Sequence, residues 1–161
     1  MTNLTHFDKK GNAKMVDVSN KYLTKRIAIA SGLIEMNANT LKTIQDKNIS
    51  KGDVLQIARI AGIMAAKKTS SIIPLCHPII IDSLSLDFKP LENQSSIYIQ
   101  SKVICKGATG VEMEALSAVT AAALTIYDMC KSIDRGMIIK NIKLLEKSGG
   151  KSGIWKVDNE K

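Results

Sequence analysis

The stretch GVEMEALSAVTAAALTIYDMCK, residues 110–131, predicts one long helix around which the rest of the chain is organised. Two carboxylates, Glu112 and Glu114, stand in its first turn, and Asp128 and Lys131 stand in its last. The residues between them are uncharged and mostly small or apolar, which is typical of a buried helix. Packing alone does not require charged groups at both ends, so the pattern indicates a buried helix that carries chemistry at each end.

Outward from this helix, period-two alternation predicts strands, and turn residues separate them. The predicted strands are residues 22–36, 80–90, 96–105 and 137–145, with a short closing strand after the glycine-rich segment. Asn39 or Thr40 is predicted to cap a short helix that ends near Asp46, and Asp53 to cap a longer helix within residues 51–71. Small residues keep one face of that longer helix thin, so that a neighbour can approach closely.

The elements follow in the order strand, helix, helix, strand, strand, helix, strand. This order predicts an α+β fold, ferredoxin-like in outline, in which helices pack on one face of a mostly antiparallel sheet. The length of 161 residues and the absence of a linker predict a single domain over residues 1–161. Residues 1–14 are expected to form a flexible arm, and residues 147–153 a flexible glycine-rich loop.

A net charge of +8 and a pI near 9.4 favour an anionic partner, although excess lysine is equally typical of a solvated face. The three cysteines form no CxxC pair, which argues against a disulfide framework or a zinc site and for a reducing compartment. The start of the chain lacks the apolar segment of a secretory signal, and the uncharged runs are too short to cross a bilayer. We therefore expect a cytoplasmic protein without a metal centre.

His77 lies between Pro74 and Pro78, which bias their predecessors away from helix and predict a stiff extended loop. A histidine held in this way can act as a general acid or base near neutral pH, or it can bond a backbone carbonyl in a tight turn. Cys76 has no activating neighbour in the sequence, so packing is favoured over a nucleophilic role. A metal site is disfavoured, because no second histidine lies at ligand spacing.

Asp128 and Lys131 are neighbours on a helix because they are three residues apart. They can form an ordinary surface pair, but the uncharged run before them predicts a partly buried end, where a carboxylate beside an ammonium suits proton transfer. Glu112 and Glu114 can complement the helix dipole, or one of them can accept hydrogen bonds from the two adjacent N–H donors of a guanine-like edge.

The segment KSGGKSG, residues 147–153, lacks the full phosphate-loop pattern, because Leu145 stands where a glycine is needed. Its two lysines could close over phosphates, or the segment could be a surface turn. Lys51 precedes the predicted helix cap, where a cation opposes the helix dipole, and a nearby anion would help to explain it.

Seven motifs together resemble the cyclic pyranopterin monophosphate synthase family, the accessory protein C of molybdenum cofactor biosynthesis, over nearly the whole chain. The motifs are MVDVS (15–19), KGDV (51–54), ARIAGI (58–63), IPLCHP (73–78), TGVEMEAL (109–116), LTIYDMCK (124–131) and KSGGKSG (147–153). The resemblance implies a lyase that converts a 3′,8-cyclised dihydroguanosine triphosphate into cyclic pyranopterin monophosphate with release of pyrophosphate. It implies no redox cofactor and leaves Mg²⁺ open as a companion of the triphosphate.

The resemblance also implies roles for individual residues. The implied catalytic residues are Asp128, with Lys131 beside it, and Lys51. The implied substrate-binding residues, with Glu112 added as the other carboxylate of the turn, are Leu75, Cys76, His77, Glu112, Met113, Glu114 and Lys147. One departure is Ala108, which stands where many members have a basic residue; this puts in doubt a phosphate contact from that turn.

The family is expected to form homohexamers, as trimers of dimers, with sites at subunit interfaces. Glu114 and Asp128 are fourteen residues apart, which is about 21 Å along an α-helix, too far for one small substrate to bridge. Two such helices packed antiparallel across a two-fold axis would bring the Glu end of one near the Asp end of the other. The alanines at 115, 118, 121 and 122 are predicted to permit that close approach, so each site should take Glu114 and Asp128 from different chains.

Two functions of other classes compete with this interpretation. A nucleic-acid-binding module would stack bases on sheet aromatics, but the chain has only six aromatic residues, and Tyr98, with Phe88 opposite it, is the best placed. We therefore expect neither a nucleic-acid nor a membrane partner. A purely structural partner of another cofactor enzyme would leave Asp128 and Lys131 dispensable.

Overall fold

The computed structural model describes residues 6–8, 10–46 and 52–158. Its strands are β1 (Thr24–Glu35), β2 (Ser83–Leu91), β3 (Ser96–Gly107), β4 (Ile138–Ser148) and β5 (Trp155–Lys156). Its α-helices are α1 (Ala38–Gln45), α2 (Val54–Lys67), α3 (Thr69–Ile72) and α4 (Glu112–Cys130), and a 3₁₀ turn at Glu92–Gln94 joins β2 to β3. The predicted elements are all present, in the predicted order.

Within the described residues the strands form one antiparallel sheet in the order β2-β3-β1-β4-β5. The first four strands have the strand order of a ferredoxin-like fold, so the predicted fold class is confirmed. The chain crosses from β1 to β2 through α1, α2 and α3, and from β3 to β4 through α4. The helices pack on one face of the sheet, where alternate residues of β1 and β3 are fully buried.

The thin face of α2 lies against α4, as the small residues predicted. Ala58 and Gly62 are buried, and a Cβ built on Gly62 would lie 2.7 Å from the carbonyl oxygen of Ala118. Ala118 and its neighbour Ala122 are fully buried within the chain. The prediction that a second copy of the helix packs on Ala118, Ala122 and the equally buried Ala115 is therefore wrong, because α2 and the sheet already cover that face. Ala121 is half-buried, and for this residue the prediction stays a prediction.

The cap of α1 differs from the prediction. The helix begins at Ala38, so Asn39 and Thr40 lie inside its first turn and not before it. The N-cap residue is Asn37, whose side chain makes no capping hydrogen bond. The start of the helix is held instead by Asp134, which is distant in sequence and buried. Its carboxylate accepts hydrogen bonds from the backbone N–H of Asn37 at 2.8 Å and from the hydroxyl of Thr40 at 3.2 Å. Asp53 caps α2 as predicted, because its side chain accepts the N–H of Gln56.

Among the described residues, no helix is both long enough and apolar enough to span a bilayer.

Candidate active site

The first cavity, here called the His77 cavity, has a volume of about 330 Å³ and lies where the loop after α3 meets the start of α4. It brings together residues that the sequence analysis proposed from two separate motifs. Those residues are Leu75, Cys76, His77, Glu112, Met113 and Glu114. The N-terminal segment completes the wall with His6, Val16, Val18 and Lys21.

The loop that carries His77 is short and constrained. The N–H of Cys76 donates to the carbonyl of Ile73 at 3.1 Å, so a turn follows directly on α3. Burial raises the pKa of the Cys76 thiol, and the charge of Glu114 raises it further. The thiol is therefore protonated at neutral pH, which supports the interpretation of Cys76 as a packing or contact residue and not as a nucleophile.

The first turn of α4 supplies the carboxylates of the His77 cavity. Glu114 is only 3% exposed, although it is an acid at the edge of a cavity. Burial raises the pKa of its carboxyl, and the charge of Glu112 adds to the rise. Ser101 on β3 fixes this turn, since its buried hydroxyl donates to the carbonyl of Ala115 at 2.8 Å. A buried carboxyl with a raised pKa can hold or give a proton near neutral pH.

The second cavity, here called the lysine cavity, has a volume of about 660 Å³ and lies beside the first. Its charged lining is mostly cationic, from Lys21, Arg26, Lys147 and Lys151, with Glu112 at its edge. Such a concentration of positive charge favours binding of an oligophosphate. Lys147, a predicted substrate residue, donates a hydrogen bond to the hydroxyl of Ser152 across the glycine-rich segment.

Arg26 organises the lysine cavity from strand β1. Its guanidinium donates to the carbonyls of Gly107 at 3.2 Å and Ala108 at 3.1 Å. The glycine-rich segment passes over the same side chain, because a Cβ built on Gly150 would overlap the guanidinium. Arg26 thus provides a cation beside Ala108, the position where the resemblance led us to expect one.

The two cavities adjoin each other, since both are lined by Lys21, Thr109, Gly110 and Glu112. One side therefore offers carboxylates, a histidine and apolar contacts, and the other offers cations on a glycine-rich segment. This arrangement fits a ligand that has a base with N–H donors at one end and phosphates at the other.

Sequence reasoning did not select Lys21 or Arg26 as site residues, and it gave Lys151 only as one of two loop lysines that could close over phosphates. Lys151 lies in the KSGGKSG motif, and its membership of that motif was the available signal. Arg26 is one of two adjacent cations at the start of β1, and only its pairing with Cys105 brings it to the turn at residues 107–110. That pairing joins residues far apart in sequence, so no local pattern indicated it.

Asp128 and Lys131 lie at the other end of α4 and line neither cavity. Lys131 Nζ is 2.6 Å from Asp128 Oδ1, and this hydrogen bond raises the pKa of the Lys131 ammonium. The Asp128 side chain is 65% exposed and that of Lys131 54%. The prediction of a partly buried pair is wrong within a single chain, because Met129 and Cys130 face the core and leave the charged pair on the solvent side. Lys51 lies outside the described residues.

Comparison with known proteins gives a consistent result. The model of the MoaC family matches residues 15–150. A curated cyclic pyranopterin monophosphate synthase of Heliobacterium modesticaldum is 56% identical over 155 residues, which cover 96% of this chain and 98% of the relative. Proteins of the same name from Magnetococcus marinus (57% over 153 residues, 95% of this chain and 94% of the relative) and Listeria monocytogenes (56% over 155 residues, 96% of each) are similar to it to the same degree.

Proposed function

Because the chain belongs to the MoaC family, we propose that it catalyses the reaction for which its relatives are named, the synthesis of cyclic pyranopterin monophosphate. The substrate implied by the resemblance is the 3′,8-cyclised dihydroguanosine triphosphate, and the second product is pyrophosphate. The enzyme is then a lyase of an early step in molybdenum cofactor biosynthesis.

The observation that carries this proposal is the junction of the two cavities at the turn before α4. The substrate joins a guanine-derived ring to a triphosphate, and the two cavities offer matching partners in the same order. In the His77 cavity, Glu112 and Glu114 accept the ring N–H groups, while Leu75 and Met113 contact the ring. In the lysine cavity, Lys147 and the neighbouring cations bind the phosphates and stabilise the charge that grows on departing pyrophosphate.

We assign the proton transfers of ring opening and re-closure to Asp128 and Lys131, with His77 as a further acid or base of the cavity. The pair is far from the cavities along α4, so it reaches the substrate from a neighbouring chain. This assignment requires an oligomer, for which we propose the homohexamer, a trimer of dimers, with sites at subunit interfaces. The role of Lys51 as a third catalytic residue rests on the resemblance alone.

The remaining proposals concern cofactors and location. We propose that no redox cofactor takes part, because the carbon–carbon bond is already present in the substrate, and that Mg²⁺ can accompany the triphosphate. We also propose a cytoplasmic location, which the absence of a CxxC pair among the three cysteines of the sequence supports.

The competing hypothesis of a nucleic-acid-binding module requires Phe88 and Tyr98 to form one stacking surface on the sheet. Phe88 pairs with Ile99 in the sheet, whereas Tyr98 pairs with Lys89. Phe88 and Tyr98 therefore lie on opposite faces, because side chains alternate along a strand. Phe88 is also covered by Arg59, whose guanidinium carbon lies 5.2 Å from the ring centre.

The proposed function is tested with the purified protein and the cyclised nucleotide, by assaying pyrophosphate and the cyclic pterin phosphate. We expect both products from the parent protein. Asp128→Ala and Lys131→Ala should keep the parent's melting temperature within a few degrees and lose turnover, since both side chains are exposed in the single chain. If the parent protein made neither product, the proposed activity would be wrong; if either variant made product at the parent rate, the assigned role would be wrong.

A further inference from the structure

Gly110 stands at the turn before α4 and lines both cavities. The carboxylate of Glu112 folds back over it. A Cβ built on Gly110 would lie 2.6 Å from both Cδ and Oε1 of Glu112 and closer still to Oε2. These are its three nearest neighbours, and all belong to the same carboxylate. The carboxylate can therefore occupy this place only because residue 110 has no side chain.

The place that Glu112 occupies is the boundary between the two cavities, since this residue lines both of them. On one side are the cations of the lysine cavity, and on the other is the buried carboxyl of Glu114. A negative charge at this boundary repels phosphate oxygens from the His77 cavity and attracts N–H donors into it. The boundary charge therefore favours one orientation of a ligand that has phosphates at one end and a base at the other.

We propose that Gly110 is a positioning residue. Because it has no side chain, it leaves room for the Glu112 carboxylate at the boundary between the cavities, and this carboxylate sets the orientation of the substrate. The proposal deepens the proposed function and rests on it, because it assumes a ligand with a base and an oligophosphate. Gly110 acts only through Glu112 and makes no chemical contribution of its own.

The backbone makes alanine an informative substitution here. Gly110 is not among the glycines with a left-handed backbone, so alanine brings no conformational strain at this position. The atoms in the way belong to the far end of a flexible side chain, which can rotate aside. Gly110→Ala should therefore fold and displace the carboxylate without changing its chemistry.

The test compares Gly110→Ala in the parent protein and in a Glu112→Ala background. In the parent we expect kcat/KM for the cyclised nucleotide to fall about ten- to hundredfold, as expected for a displacement of the group by 1 Å or more. The inhibition constant for pyrophosphate, which binds the cations of the lysine cavity, should change much less, by under about twofold. In the Glu112→Ala background the same substitution should have almost no effect, because no carboxylate remains to be displaced.

Gly136→Ala is the matched control, since a Cβ at Gly136 would meet Asp134 Oδ1 at an ordinary 3.5 Å. Calorimetry of GTP binding repeats the comparison of Gly110→Ala with the parent, in both backgrounds, without turnover. The positioning role of Gly110 is therefore tested even if the parent protein releases no pyrophosphate. Parent-like values of kcat/KM and GTP affinity in Gly110→Ala would overturn the proposal, as would equal losses in both backgrounds. If Gly110→Ala failed to fold, recovery of folding in the double variant would support the contact with Glu112, and no recovery would overturn it.

Discussion

Subunit complementation tests whether each site takes its cavity from one chain and its Asp128–Lys131 pair from another. Glu114 lines the His77 cavity, while Asp128 follows fourteen residues later on the same helix and lines neither cavity. That spacing corresponds to about 21 Å along α4. Glu114→Ala chains and Asp128→Ala chains should each be inactive alone, because every site then lacks one residue.

Co-expression of the two variants, with separable tags, gives mixed oligomers. Each of the two residues is intact in half of the chains, so about a quarter of the shared sites receive both intact residues and activity recovers to about that fraction. The control pair is Glu114→Ala with His77→Ala, which line the same cavity of the same chain and should give no recovery. Pyrophosphate release is the assay. An absence of recovery in oligomers shown by mass to be mixed would refute the shared site.

Four further results are expected. Arg26→Ala removes a cation of the lysine cavity and should raise KM and the pyrophosphate inhibition constant about ten- to hundredfold. The control is Lys89→Ala on β2, which lies outside both cavities and should leave both constants unchanged. Ala108→Lys should lower the pyrophosphate inhibition constant, because residue 108 lines the lysine cavity, and an unchanged constant would show that Arg26 already satisfies this part of the site. Burial raises the pKa of Glu114, so the folded state holds this proton more tightly than the unfolded chain does. The stability of the parent should therefore fall as the pH rises from the usual glutamate range through the raised pKa, and Glu114→Gln should lack this fall. If the melting temperatures of parent and variant changed in parallel across that pH window, the raised pKa of Glu114 would be contradicted. Gly62→Ala should cost about 1–3 kcal/mol, because the new methyl meets the Ala118 carbonyl and cannot displace backbone, and a melting temperature unchanged or raised would show that α2 and α4 can separate freely.

Most of the fold could be predicted because its signals are local. Alternation of apolar and polar residues indicated the strands, and the uncharged run indicated α4. The cap of α1 was missed for the opposite reason. The N-cap residue, Asn37, makes no side-chain capping hydrogen bond, and Asp134 holds this helix start across 97 positions of sequence. A pattern that spans a few residues cannot show which distant carboxylate will reach a helix start.

The candidate site divides in the same way. His77 could be selected from its place between two prolines and Glu114 from the first turn of the long helix, and the family resemblance supported both. The fold then brings them to one cavity. Arg26 could not be selected, since its place beside the turn before α4 depends on how β1 pairs with β3, and Lys21 stands in a polar segment before β1 that carries no local signal. The exposure of Asp128 was predicted wrongly. The uncharged run indicates that the helix as a whole is buried, but it does not show that one side of the last turn faces solvent.

The two ends of α4 differ in what a single chain can accomplish. One chain lines both the lysine cavity and the His77 cavity, so the proposed contacts with phosphates and with the base come from that chain. The Asp128–Lys131 pair is exposed at the far end of the helix and lines neither cavity. On the proposed assignment, substrate binding is a property of the chain, whereas proton transfer by this pair depends on assembly. Any loss of assembly should thus lower kcat while leaving pyrophosphate affinity in place, which is the opposite of what damage to the lysine cavity produces.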